Sequence, residues 1–384
     1  MVWNIALETA RQGCEVTIVE RQWDGLPRVE KRDSVTFRRV SLATGSDDPW
    51  AEVPYRMVST PTGAARLIVD RTNFALKAYG VLRNLEFDVI HVHLPFAANV
   101  LVTVAPTLRK RMIYTAHIGE TEKRVDDPPF SPDVYLAKRV ALSAILNDDA
   151  LNSFKNRGVN PKRLSFVPNG VDVERFSQSD ASRRGEVERK YGLSDRTVVL
   201  FVGSVTPRKG AAELLNAFIN VHTEFPDAKL VFAGTTDLSP EYVARIRSVA
   251  DEAGLDERVV FTGYTSEEEI QGLYERADLF ALPSHDDGFP LVVTEAMAAG
   301  TPIIASNVGG IPRQVEDGVQ GCLVEPKNSA ELIDALKTVL GDEERRERMS
   351  VGARRRAEEF AWDRIASRYI SIYETVAEAV ERAG

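Results

Sequence analysis

The 384-residue chain is predicted to fold as two doubly wound α/β domains facing each other, each a parallel sheet with helices on both faces. Two observations carry this prediction. Short apolar runs alternate with amphipathic segments, and this series occurs twice along the chain, as expected of parallel strands buried beneath helices. The length also suits two domains of ordinary size. Hydrophobic residues make up 43% and charged residues 27%, a globular balance that excludes a mainly disordered chain. No apolar run approaches the ~18–20 residues of a membrane span. Two cysteines, Cys14 and Cys322, cannot form a disulfide framework or a cysteine-rich zinc site, which points to a reducing, cytoplasmic compartment.

The first series opens on a helix. Met1 to Gln12 carries Val2, Ile5, Ala6, Leu7 and Ala10 on one stripe, with Gly13 as its stop. A strand, Val16 to Val19, follows. This is the second half of a βαβ unit, so the first strand, usually central in such a sheet, is expected upstream of Met1. The segment lacks the basic start and long apolar core of a signal peptide. Residues 22–60 are broken by Gly25, Pro27, Gly45, Pro49 and Pro54 and read mostly as loop with short strand pieces. A helix is expected over 62–84, a buried strand over Phe87–Val92, and a helix from Pro95 through Arg109. Strands follow at Met112–Thr115 and Leu164–Val167, and Ala141–Leu146 is a strand or a buried helix edge. Val167-Pro168-Asn169-Gly170-Val171-Asp172 has the turn chemistry of a domain linker.

The second series is more regular. Strands are expected at Val198–Gly203, Lys229–Gly234, Val259–Gly263, Leu279–Leu282, Pro302–Ala305 and Gly321–Val324. The helices between them are Ala211–Phe225, Glu241–Ala253, Ser266–Arg276, Leu291–Ala299 and Ser329–Leu340, with a last one ending at Ala383. Ligands of such folds sit at the carboxyl ends of the strands, here in the cleft between the domains. Net charge is −9 overall, but +3 over residues 1–172 and −12 over the rest. The front half is the better candidate to face an anionic acceptor, and the whole chain is no basic nucleic-acid binder.

Three constellations carry chemistry. In Ser284-His285-Asp286-Asp287-Gly288-Phe289-Pro290-Leu291 through Gly300, a strand ends, an acidic turn follows, and a helix begins with Pro290 near its first position. Free N–H groups there can hold a phosphate. Asp287 and Glu295 lie eight apart, about two turns if the helix starts early. The alternative is an Asp cap and a buried, paired Glu. The second constellation, Gly203-Ser204-Val205-Thr206-Pro207-Arg208-Lys209-Gly210, sets two cations between a strand and a helix, able to neutralise a diphosphate. It is not a Walker A loop, and a solvated basic turn is the alternative. The third is His117 at a strand end, able to bind a hydroxyl, or else a capped surface histidine. His91 and His93 share a face of one strand; two histidines without a third ligand are a weak metal signal, and a structural role is preferred. No Asp-x-Asp occurs, which argues against a divalent metal holding a nucleotide diphosphate.

At these motifs the whole chain resembles the retaining glycosyltransferases of the GT-B fold, specifically the family 4 (group 1) type. The family's two acids, the first normally Glu, resemble Asp287 and Glu295, and Lys209 stands at the family lysine of its basic loop, Val202–Gly210. Val167–Asp172 resembles the hinge. Ser306–Pro312, Glu316-Asp317-Gly318 and Leu323–Pro326 resemble the later signature, and Phe360-Ala361-Trp362 with the last helix resembles a tail that crosses back to the N-terminal domain. The resemblance implies an acceptor-side domain over 1–168, with about 363–384 packing back on it, and a nucleotide-sugar-binding domain over 169–362.

It also implies roles. Glu295 would accept hydrogen bonds from the nucleotide ribose, and Asp287 would hold a donor-sugar hydroxyl. Lys209 with Arg208 would stabilise the leaving diphosphate, capped by backbone N–H groups of Gly288, Phe289 and Leu291. His117 would contact the donor sugar near the reacting carbon. Gly203 and Ser204 would belong to the phosphate loop, and Gly263 and Tyr264 would flank the base, unless Tyr264 is simply packing. The implied reaction moves a sugar from a UDP or GDP sugar to a lipid-linked or glycan acceptor with retained configuration, needing no metal or other cofactor; the departing diphosphate takes the acceptor proton and domain closure excludes water.

Three departures bear on this. Ser204 replaces the usual first phosphate-binding Arg, Asp287 is a methylene shorter than Glu, and the family's N-terminal strand and Gly-Gly loop would lie before Met1. A non-catalytic nucleotide-sugar-binding or scaffold protein, or a sugar epimerase of the same fold, are the competing readings. Arg38-Arg39 and Arg109-Lys110-Arg111 could meet an anionic membrane from the cytoplasmic side, or be ordinary solvated turns.

Overall fold

A computed structural model of the chain describes residues 1–42, 44, 60–117 and 121–382. The chain divides into two compact units, Met1–Pro168 with Trp362–Gly384, and Asn169–Ala361.

The first unit carries two sheets. β1 (Val16–Arg21), β2 (Val29–Arg32) and β3 (Val35–Val40) are ordered β1-β3-β2, with β1 and β3 parallel and β2 and β3 antiparallel. β4 (Ile90–Val92), β5 (Met112–Ala116), β6 (Leu142–Ile145) and β7 (Leu164–Phe166) form a parallel sheet in that order. Residues 22–40 are therefore more ordered than their turn-rich composition predicts. β2 and β3 are joined by Asp33 and Ser34, both with positive φ (48° and 71°), the two-residue hairpin geometry that glycine normally marks. With no glycine in the turn, the sequence hid it. Gly45, Pro49 and Pro54, read as loop breakers, lie outside the described residues.

Other boundaries shift for physical reasons. The helix from Pro95 ends at Val104, not Arg109, because Pro106 cannot donate to the preceding turn; a 3₁₀ stretch runs from there to Arg111. The strand expected from Phe87 is only β4, and its residues are partly exposed rather than buried. Ala141–Leu146 resolves as the strand β6. Arg39, half of one basic pair read as either a membrane contact or a solvated turn, is buried; it binds Glu20 at 2.7 Å, Glu30 at 2.8 Å and the Pro27 carbonyl at 2.8 Å. It presents no charge to a membrane. In the other cluster, Arg109 donates to the Val102 carbonyl at 2.7 Å, and Arg111 to the Phe87 and Asp88 carbonyls at 3.1 Å.

Two helices far apart in sequence close this unit. Ile5 of the helix Val2–Arg11 packs with Trp362, Ile365 and Tyr369 of the helix Trp362–Glu381, over Ala144 and Val167. The C-terminal tail is two helices, Glu343–Ala357 and Trp362–Glu381, and Ala383 lies outside the described residues.

The second unit is one six-stranded parallel sheet: β8 (Thr197–Val202), β9 (Ala228–Ala233), β10 (Val259–Gly263), β11 (Leu279–Leu282), β12 (Ile303–Ser306) and β13 (Gly321–Val324), in the order β10-β9-β8-β11-β12-β13. Val198, Val199, Leu200 and Phe201 of β8 are fully buried. Each contributes about 1.5–3 kcal/mol of burial, which is why this strand reads as an unbroken apolar run. Two helices of this unit start on Ser266 and Asn328 caps, whose side chains accept from the N–H groups of Glu269 and Glu331. The chain builds outward from β8 to β9 and β10, then returns to the other side of β8 as β11. The switch point of this sheet thus lies between the carboxyl ends of β8 and β11.

Candidate active site

Both motif loops leave the sheet at that switch point. β8 and β11 are parallel neighbours in register, so residues 203–210 and 283–290 emerge side by side. They are stitched together. His285 donates its N–H to the Arg208 carbonyl at 2.8 Å, and the Arg208 guanidinium donates to the Asp286 carbonyl at 2.7 Å. Gly210 (φ 72°) must be glycine: a Cβ would stand 1.9 Å from the Pro283 carbonyl oxygen.

The acid and the base meet inside this pair of loops. Lys209 Nζ lies 2.5 Å from Asp287 Oδ2, and Ser284 Oγ donates to the same oxygen at 3.2 Å. Arg208 stands further out, 3.9 Å from Asp287 Oδ1. Asp287 is 7% exposed, so its charge is held by specific partners rather than by water. A second brace lies behind, where His285 Nε2 meets Glu213 Oε1 at 2.8 Å. Ser284, Glu213 and the partnering role of His285 are absent from the sequence reading. Ser284 sits in the motif, three residues before the acid, and was the findable one.

The helix Leu291–Ala299 spans the expected residues, with Pro290 as its cap residue and no side chain capping it. Asp287 therefore lies on the loop, and Glu295 is only the fifth helical residue, so fewer than two turns separate them. Tyr274 donates its OH to Glu295 Oε2 at 2.9 Å. Burial raises the Glu295 carboxyl above the usual range, while Tyr274 and Arg175 pull it back down. Phe289 is buried against Phe360, ring centres 5.6 Å apart, and its carbonyl accepts from Asn169 at 3.3 Å. It fixes the backbone of Gly288 to Leu291 at the helix start.

The loop's outer wall is Gly309-Gly310. A Cβ on Gly309 (φ 54°) would lie 1.7 Å from the Asp287 carbonyl oxygen, and Gly310 donates its N–H to that oxygen at 3.3 Å. Gly203 (φ 144°) opens the basic loop, with its N–H on the Ala233 carbonyl at 2.9 Å, and Ser204 follows it half-buried. Gly263 ends β10, at the sheet's edge. Tyr264 is 88% exposed, which overturns the alternative that it is a packing residue.

His117 belongs to the other unit. It follows β5, where its Nε2 lies 3.1 Å from His93 Nδ1. It is not the capped surface histidine of the alternative reading; burial, the positive chain terminus and Arg124 push its pKa down to about 4. His91 and His93 do share a face, ring centres 4.1 Å apart. Among the described residues no group of three or more His, Cys, Asp or Glu is placed to hold a metal ion.

A helix start with no side-chain cap, beside a buried acid and an adjacent cation at the switch point of a doubly wound sheet, can hold an anionic ligand. The family described as Glycosyltransferase Family 4 matches residues 1–175, and that described as Glycosyl transferases group 1 matches residues 184–356. The D-inositol 3-phosphate glycosyltransferase of Xylanimonas cellulosilytica is 30% identical over 391 residues, covering 97% of this chain and 90% of that protein. The enzyme of the same name from Corynebacterium glutamicum is 29% identical with the same coverage. Among solved structures, sucrose-phosphate synthase from Thermosynechococcus elongatus superposes with a TM-score of 0.76 at 22% identity, covering 98% of this chain and 93% of that one. Anabaena HepE in complex with UDP superposes at 0.73 and 20% identity, covering 94% and 100%. The chain belongs to the group 1, family 4 glycosyltransferases and has their GT-B fold. Among the described residues, no helix is long and apolar enough to cross a membrane.

Proposed function

We propose that this glycosyltransferase moves a sugar from a UDP sugar to an acceptor hydroxyl with retention of anomeric configuration. The observation that carries the reading is the Lys209–Asp287–Ser284 cluster beside an uncapped helix start, with Glu295 one turn into that helix. Lys209 and the positive end of the helix dipole at Leu291 stabilise the negative charge that grows on the departing diphosphate. Asp287 accepts from a sugar hydroxyl and fixes the ring. Glu295, oriented by Tyr274, accepts from the ribose. As the sugar–oxygen bond breaks, a diphosphate oxygen takes the proton of the acceptor hydroxyl, whose oxygen bonds the anomeric carbon on the same face. No protein nucleophile is required.

UDP is favoured over GDP because HepE is described in complex with UDP and with UDP-glucose. The named relatives add a phosphorylated polyol, D-inositol 3-phosphate, to the lipid-linked or glycan acceptors expected from the sequence. The test incubates the chain with a UDP sugar and each acceptor class and determines the product's anomeric configuration by NMR. Transfer with retention supports the reading, and an inverted product contradicts it. The replacement of a cation by Ser204 favours binding without transfer as the second reading; saturable UDP-sugar binding with no product from any acceptor would select it.

Glu295 gives a pH prediction. Its folded pKa is raised, so its contribution to stability is complete below the unfolded pKa and is lost as pH rises through the folded value. Glu295→Gln removes that loss. The variant should therefore melt higher than wild type at pH 8, and the gap should shrink as pH is lowered through the raised pKa. Two charge-assisted hydrogen bonds to the ribose vanish with the charge, so UDP should bind about 10–100-fold more weakly. Thermal melts across pH and calorimetric titration check both halves.

A further inference from the structure

The family resemblance implies a sugar contact for His117; such a contact needs a defined hydrogen-bonding face on that ring, and an unrestrained neutral imidazole has two tautomers. The structure holds the ring in a row of three. His91 is pinned at both nitrogens, Nδ1 to the Tyr373 hydroxyl at 2.8 Å and Nε2 to Thr115 Oγ1 at 2.7 Å, and Thr115 in turn meets the Tyr369 hydroxyl at 3.0 Å. His93 lies on His91, centres 4.1 Å apart, and His117 lies nearly parallel to His93, 5.3 Å and 16° away. The anchored ring thus orients the next, and the edge of that one meets His117, Nδ1 to Nε2, at 3.1 Å. The other nitrogen of His117, Nδ1, is buried and has no hydrogen-bond partner among the described residues.

We infer that His93 is a positioning residue that fixes the tautomer of His117, holding its proton on Nε2 and leaving the Nδ1 lone pair to accept a hydrogen bond from a substrate hydroxyl. Two facing nitrogens at 3.1 Å share one proton, so one ring donates and the other accepts. The neutral histidine side chain prefers its proton on Nε2. With His117 donating from Nε2 to His93 Nδ1, both rings adopt that preferred form; the reverse arrangement forces both into the less stable one. Both rings also stay neutral at physiological pH. Burial, His117 and the positive chain terminus hold His93 to about 3, and burial, the terminus and Arg124 hold His117 to about 4. A buried acceptor without a partner is costly, and a ligand hydroxyl that satisfies one gains the difference.

This inference rests on the substrate contact that the family resemblance implies for His117, and its test separates the two. The chain has five histidines, so ¹⁵N-histidine labelling gives an assignable set of imidazole signals in the intact protein. Wild type should show His117 with a protonated Nε2 and a lone-pair Nδ1. In His93→Ala the two tautomers of His117 should mix, with kcat about tenfold lower and KM for the UDP sugar nearly unchanged, the loss of one ordinary hydrogen bond's worth of preorganisation. His93→Asn, whose Oδ1 can stand at the place of the lost Nδ1, should restore both the signal and the rate. A protonated Nδ1 on His117 in wild type, or an unchanged His117 spectrum in His93→Ala, overturns the inference whatever the activity. A spectrum that shifts as expected while His117→Ala leaves kcat and KM intact instead overturns the donor contact.

Discussion

Lys209→Ala should lower kcat by about 10²–10³-fold, the usual loss when one preorganised donor is removed from a developing oxyanion. The same substitution should cost stability, because Lys209 has two functions in the free protein. Its ammonium neutralises Asp287, whose carboxylate is nearly out of reach of water. Removing one partner of a buried pair leaves an uncompensated charge, at about 3–5 kcal/mol in the general case. Here Ser284 still donates at 3.2 Å and Arg208 remains within 3.9 Å, so about 2 kcal/mol is the expectation. The two functions separate in a double variant. Lys209→Ala combined with Asp287→Ala should recover most of the stability and none of the activity. If the double variant regains activity as well, Lys209 acts only by holding Asp287 and not on the diphosphate.

Gly309→Ala is the second large effect, and it acts from outside the reacting groups. Its Cβ would stand 1.7 Å from the Asp287 carbonyl oxygen, at a backbone angle of φ 54° that already disfavours a side chain. The acidic loop must move by more than an ångström to admit it. We expect about 2–3 kcal/mol of destabilisation and, from displacement of Asp287, about a hundredfold loss of kcat. Gly318→Ala is the control, since that residue has a similar φ of 78° but open space around its Cβ. It should cost about 1 kcal/mol of strain and leave kcat unchanged. Equal losses of activity in the two variants would show that the Gly309 effect is general strain rather than a displaced acid.

What the sequence made legible follows from what is local. The strands of the second unit are continuous buried runs, so Val198 to Phe201 and Leu279 to Leu282 announce themselves. Asp287 and Lys209 are legible because each lies at a strand-to-helix junction with its neighbours in sequence, and Glu295 because it lies in the helix that the acidic junction leads into. Across-chain contacts leave no such trace. Glu213 meets His285 from 72 residues away, and Tyr274 reaches Glu295 from a helix whose pattern marks only its buried face. The row of His91, His93 and His117 was visible as residues but not as a row, because the pairing of β4 with β5 is what aligns them. In the first unit, the Asp33-Ser34 turn lacked the glycine that signals a tight hairpin, and β2 and β3 were hidden within a turn-rich stretch.

The central claim is that the donor's nucleotide diphosphate is held by the switch-point loops, 203–210 and 283–291, together with Glu295. Calorimetric titration of UDP into the intact chain, wild type against Lys209→Ala and Glu295→Gln, tests it most directly. The account predicts one UDP site per chain, weakened about tenfold or more by each substitution, with thermal melts showing both variants folded. UDP bound with equal affinity by wild type and both folded variants would place the nucleotide elsewhere and contradict the account.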